Sequence, residues 1–168
     1  MKPETIDAIM NGLKEAGIDF IATLPCTGVA PLIPVLSGDT RLKHVPVGNE
    51  GDGFIVCAGA WLGGKKPALF IENTGILTGA YALTGLDCMF GGMPMLVLVD
   101  HRGSYGDGGG YFYFGGAQMA PVILDALKIP YAIVRETQAL VGEIVGGQNM
   151  AEAYGKPVAL LLSGATEW

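Results

Sequence analysis

Glu50 follows Val45-Pro46-Val47-Gly48-Asn49 and precedes the nearly uncharged run Phe54 to Leu62. An acid in that setting is expected to be poorly hydrated, and burial raises a carboxyl pKa. Such a group either moves protons or is a satisfied structural acid. Three other short polar segments hold a similar place, each after an apolar run: Pro25-Cys26-Thr27-Gly28, Asn73-Thr74-Gly75 and Asp100-His101-Arg102-Gly103. Glycines there let the backbone approach a ligand closely, although tight strand-to-helix turns need glycine as well. Arg102 suits an anionic substrate group or a surface salt bridge. His101 reads equally as a substrate contact or a structural ring, and His44, inside a strand, as structural. Cys26 is a candidate ligand contact, whereas Cys57 and Cys88 read as small core residues.

These residues need elements to position them. Ile6, Ile9, Met10 and Leu13 share one face of a helix predicted over Glu4 to Ala16, which Gly17 ends. Strands are predicted over Ile18 to Leu24, Leu42 to Val47, Ala68 to Glu72, Met95 to Val99, Tyr131 to Val134 and Val158 to Leu162. Between them lie helices over Ala30 to Leu36, Phe54 to Leu62, Leu77 to Phe90, Gln118 to Leu127 and Thr137 to Tyr154. Continuous apolar strands, each separated by a helix, predict an α/β fold: a three-layer, doubly wound, mostly parallel sheet with helices on both faces. Ligands in such sheets sit outside the carboxyl ends of the strands, where the four polar segments fall. Residues 1–168 read as a single domain with no internal repeat.

Composition narrows the partners. Hydrophobic residues make up 50% of the 168 and charged residues 15%, which is apolar for a soluble monomer of this size. No run reaches the ~18 uninterrupted apolar residues of a membrane-spanning helix, so the excess predicts a subunit that buries surface against partners. The start Met1-Lys2-Pro3-Glu4 lacks a signal-peptide layout, and a cytoplasmic location is expected. A net charge of −6 with scattered basic residues argues against nucleic acid. The spacing of Cys26, Cys57 and Cys88 fits neither a zinc site nor a disulfide framework.

Two Gly-Asp-Gly triplets, Gly51-Asp52-Gly53 and Gly106-Asp107-Gly108, resemble the start of a metal-diphosphate motif but lack the strand before them or the Asn after them. We read both as accidental and expect no metal ligands on this chain. The loop Gly103 to Gly116 carries five aromatics among glycines. It predicts either a contact between subunits or a cover over the site.

The ordered set Gly48-Asn49-Glu50, Glu72-Asn73-Thr74-Gly75-Ile76-Leu77, Gly92-Met93-Pro94-Met95-Leu96 and Arg102-Gly103 resembles the pyrimidine-binding domain of thiamine-diphosphate enzymes. It is most similar to the branch decarboxylating sulfopyruvate and phosphonopyruvate, from about residue 5 to residue 163. The resemblance implies that Glu50 hydrogen-bonds the cofactor's aminopyrimidine and so promotes loss of its thiazolium proton. It implies that Asn73, Thr74 and Gly75 line the pyrimidine site, with Pro25, Cys26, Thr27 and Gly28 near the thiazolium or substrate. His101, Arg102, Tyr105 and Gln118 would be substrate contacts. The diphosphate- and magnesium-binding domain of that family is expected on a separate partner subunit, with thiamine diphosphate held between unlike chains.

The loop after Arg102-Gly103 departs from the acidic, His-containing segment of those relatives, which leaves the 2-oxo acid open. Three alternatives stand beside decarboxylation: a carboligase on the same scaffold, a non-catalytic assembly subunit, and an unrelated flavodoxin-like binding domain.

Overall fold

The apolar runs become strands wherever both faces are covered. The computed structural model describes residues 1–104 and 113–163. Its helices are α1 (Pro3–Glu15), α2 (Ile33–Gly38), α3 (Glu50–Leu62), α4 (Thr74–Phe90), α5 (Phe114–Ala126) and α6 (Leu140–Tyr154). They alternate with strands β1 (Phe20–Thr23), β2 (Lys43–Pro46), β3 (Pro67–Glu72), β4 (Met95–His101), β5 (Tyr131–Val134) and β6 (Pro157–Ser163). The strands form one sheet in the order β2-β1-β3-β4-β6-β5, and every pairing is parallel.

β4 and β6 are buried along their whole length, as continuous apolar runs require, whereas β2 at one edge is partly exposed. One core, including Phe54, Leu83 and Leu124, lies beneath α3, α4 and α5. The other, including Ile9, Leu36 and Ile144, lies beneath α1, α2 and α6. The chain is thus the three-layer α/β fold that the sequence predicts.

Three boundaries differ from the expected ones in ways that matter. α3 begins at Glu50 rather than near Phe54, because the Asn49 side chain caps it by accepting from Asp52 N at 2.8 Å. α4 begins at Thr74 rather than Leu77. The first turn expected of α6 is a separate 3₁₀ turn, Thr137–Ala139. Gly17 does close α1: it adopts φ +69° while Ile18 N donates to Leu13 O.

From β1 the chain passes to β2 on one side and then crosses back to β3 on the other, so the strand order reverses between β1 and β3. A crevice forms outside the carboxyl ends at such a switch point. Among the described residues no helix is long and apolar enough to cross a membrane.

Candidate functional site

Glu50 occupies the first turn of α3, and α4 lies beside it. The two helices approach closely because Gly79 has no side chain: a Cβ there would stand 2.3 Å from Phe54 Cε2. That approach brings Thr78 of α4 to Glu50, where its Oγ1 donates to Oε2 at 2.9 Å. One turn earlier on α4, Gly75 leaves room for the stem of the same side chain, since its hypothetical Cβ would be 2.6 Å from Glu50 Cγ. The first turns of α4 therefore hold Glu50 twice, by a hydroxyl on its carboxyl and by bare backbone against its stem.

The expected dry setting is not what surrounds Glu50 in the single chain. Its side chain is half-buried, and Thr78 beside it is exposed. The uncharged residues after Glu50 turn toward the core from Gly53 and Phe54 onward, one turn further along α3. The first turn is left open at the mouth.

Asn73 joins β3 to α4 and is fully buried. Its backbone N–H donates to Asp100 O at 3.2 Å and its Nδ2 donates to Arg102 O at 3.1 Å, joining the carboxyl ends of β3 and β4. Its Oδ1 is buried and accepts no hydrogen bond among the described residues, an orphan acceptor of the kind native structures rarely retain. Thr74 Oγ1 leans back to Glu72 Oε1 at 3.4 Å.

A second acid, Asp100, lies one residue before the end of β4 at 0% exposure. Its carboxylate fills the space above Gly28, where a Cβ would meet Oδ2 at 2.0 Å. Cys26 Sγ donates to the same oxygen at 3.7 Å. Burial pushes the Cys26 thiol up to about 11, and the nearby Asp100 and Glu72 carboxylates add to the rise. The thiol therefore stays protonated and serves as a hydrogen-bond donor rather than a nucleophile. Pro25 and Thr27 are exposed around it and Gly28 is buried beneath.

His101 is 3% exposed, and its Nε2 donates to Ala117 O at 2.9 Å, so that face of the ring is committed to α5. Arg102 is half-buried, with its guanidinium 4.6 Å from the Tyr113 ring centroid and Nη1 3.5 Å from the Tyr113 hydroxyl. Gln118 is exposed on α5. Tyr105, Gly106-Asp107-Gly108 and most of the aromatic loop lie outside the described residues.

Other readings resolve locally. Asp52 of the first Gly-Asp-Gly triplet is a capping partner of Asn49, whose Nδ2 donates to Asp52 Oδ2 at 2.6 Å. Among the described residues no three His, Cys, Asp or Glu side chains gather as metal ligands. His44 is held between Thr23 Oγ1 and Ser37 Oγ, each at 2.9 Å, and burial lowers its pKa. Cys57 is buried as expected, but Cys88 is exposed on α4 and is not a core residue.

Sequence reasoning passed over Thr78, and placed Asp100 at a strand end without giving it a role. An acid closing the run Met95 to Val99 was a visible sign for Asp100. Thr78, one turn after Gly75, becomes legible once α4 is known to start at Thr74.

The arrangement offers a carboxyl group for proton transfer, a buried amide acceptor, and a protonated thiol, grouped about the carboxyl ends of β1 to β4. Residues 4–125 match the family model described as thiamine pyrophosphate enzyme, N-terminal TPP binding domain. The chain is 32% identical over 168 residues to the sulfopyruvate decarboxylase subunit alpha of Methanothermobacter thermautotrophicus, covering 96% of this chain and 97% of that protein. It is 28% identical over 156 residues to the subunit of the same name from Methanococcus maripaludis, covering 93% and 92%. Against the phosphonopyruvate decarboxylase of Streptomyces viridochromogenes it is 31% identical over 99 residues, 59% of this chain but 25% of that protein. A solved structure, 2-oxoglutarate:ferredoxin oxidoreductase from Magnetococcus marinus, superposes with a TM-score of 0.71 at 22% identity, covering 98% of this chain and 29% of that chain. This last likeness concerns the fold.

Proposed function

We propose, for a chain that belongs to the family of the N-terminal TPP-binding domain of thiamine pyrophosphate enzymes, the role of pyrimidine-binding subunit in a two-subunit 2-oxo acid decarboxylase. The observation that carries this reading is the placement of Glu50, held by Thr78, set against Gly75, and open to the outside at the mouth of the sheet. A full-length relative of almost the same extent is named a subunit alpha, which supports a second chain in the assembly. The diphosphate and Mg²⁺ are assigned to that partner, and the 2-oxo acid to sulfopyruvate or a close analogue.

The residues fit the cofactor. Glu50 Oε2 is occupied by Thr78, which leaves Oε1 to hold a proton against a ring nitrogen. The orphan Oδ1 of Asn73 suits an amino-group donor from the same ring. Gly75 and Gly28 support the site from beneath, the first leaving room for the Glu50 side chain and the second for the Asp100 carboxylate. The chemistry that thiamine diphosphate supplies when bound is a nucleophilic carbon and an electron sink for release of carbon dioxide.

The open side of Glu50 gives the partner subunit a second task. Covering the mouth removes water, and low dielectric strengthens the hydrogen bond from Glu50 to the ring. Arg102, stacked on Tyr113, is the cation placed to meet an anionic substrate group.

The test is co-expression with a diphosphate-binding partner and measurement of carbon dioxide release from sulfopyruvate. Release that needs both chains and added thiamine diphosphate supports the reading. A lone chain that turns over without the cofactor would sink it. Product analysis with an acceptor aldehyde separates decarboxylation from carboligation.

A further inference from the structure

At the opposite end of the sheet from Glu50, a cavity of about 330 Å³ opens between α4, α5 and the starts of β4 and β6. Its floor is apolar: Leu83 and Leu86 of α4, Met93 and Met95 at the start of β4, and Leu127 and Ile129 after α5. Met93 and Met95 are at most 1% exposed, so the cavity reaches the core beneath α4 and α5. Its size falls within the range of small-molecule sites, which pair apolar walls with a few placed polar groups.

The rim supplies those groups. Lys156 Nζ pairs with Asp87 Oδ1 at 2.9 Å, so these two charges cancel. Gly92 lets the Lys156 stem lie flat there, since a Cβ on it would stand 2.8 Å from Lys156 Cγ. Lys128, also on the rim, has no ion pair or side-chain hydrogen bond among the described residues. It is also the one non-glycine described residue with positive φ, at 56°, a conformation a long side chain adopts at a cost. Its N–H donates to Asp125 O and Ile129 N–H to Leu124 O, fixing the turn that holds it. An apolar recess with one uncompensated cation at its lip fits an amphipathic monoanion.

We propose that this cavity binds a compact apolar carboxylate, with its alkyl or aromatic body on Met93 and Met95 and its carboxylate on Lys128. The site is separate from the Glu50 mouth, and the inference stands or falls independently of the proposed reaction.

The test uses the full chain with ¹³C-methyl methionine and follows methyl signals by NMR. The probes are 3-phenylpropanoate and, as its uncharged counterpart, 3-phenylpropan-1-ol. Saturable shifts of Met93 and Met95, with the acid bound more tightly than the alcohol, are expected. Lys128→Gln, a surface change that leaves the fold intact, should weaken the acid roughly fivefold and leave the alcohol unchanged, as the loss of one exposed ion pair. Three results would each overturn the proposal. These are no saturable shift at Met93 and Met95, equal affinity for acid and alcohol, or loss of acid binding when the partner subunit is added.

Discussion

Glu50 lies where it does because Gly75 has no side chain: the space a methyl group would take on Gly75 ends 2.6 Å from Glu50 Cγ. The same methyl would stand 2.9 Å from Ile71 Cδ1 and 3.2 Å from Ile71 Cβ. Contacts this short cannot be relieved by one flexible side chain, since Ile71 is fully buried in β3. The helix that starts just after Asn73 therefore sets the position of the acid.

Gly75→Ala should consequently act on stability and activity together. Overpacking of this kind costs about 1–3 kcal/mol, and displacement of a catalytic group by an ångström reduces turnover by roughly a hundredfold. Thermal melting and steady-state kinetics of the two-chain enzyme check both. An active, unshifted Gly75→Ala protein would show that Glu50 does not depend on this contact.

Thr78→Val should separate the two effects. The Thr78–Glu50 hydrogen bond is at the open mouth, so its loss should change stability by less than about 1 kcal/mol. With Oε2 released, Glu50 gains rotamers that do not present its proton, and kcat should fall several-fold with KM little changed. Thr78→Ser keeps the hydroxyl and should restore the rate. Equal rates in the Val and Ser variants would remove Thr78 from the account.

Much of this was legible in the sequence, and the rest fails for identifiable reasons. The strand ends bearing Cys26, Glu50, Asn73 and Arg102 follow from continuous apolar runs, and those runs do become the parallel sheet. The hydration of Glu50 was not legible, because periodicity shows which face of a helix is apolar but not that its first turn overhangs the sheet's mouth. Nor was the exposure of Cys88: α4 carries Asp87 as its one charge, so its outer face looks like its inner face in sequence. Uncharged outer residues such as Tyr81, at 91% exposure, and Met89, at 75%, are the structural form of the apolar excess that pointed to a partner.

The three thiols offer a prediction about pH. Folding raises Cys26 from 9.0 to about 11 and Cys57 from 9.0 to about 12, in both cases first through burial. The folded state thus holds these protons more tightly than the unfolded chain. The associated stability is fully present below pH 9 and is lost as pH rises toward 11 and beyond. The melting temperature should be level from pH 7 to 8.5 and fall above 9. Iodoacetamide at pH 8, followed by mass spectrometry, should modify exposed Cys88 first, Cys26 slowly and Cys57 last. Equal rates for Cys26 and Cys88 would contradict the protonated Cys26–Asp100 pair.

The central claim is that the Glu50 carboxyl activates the cofactor, and the exchange of the C2 proton of thiamine diphosphate for deuterium in the assembled enzyme tests it most directly. Glu50→Gln keeps the size of the side chain and an acceptor for Thr78, so cofactor retention and melting temperature should be close to those of the parent. The account predicts that exchange slows by roughly 10²–10⁴-fold, the range of a lost general acid–base group. Exchange at the parent rate in a Glu50→Gln enzyme that still holds its cofactor would contradict it.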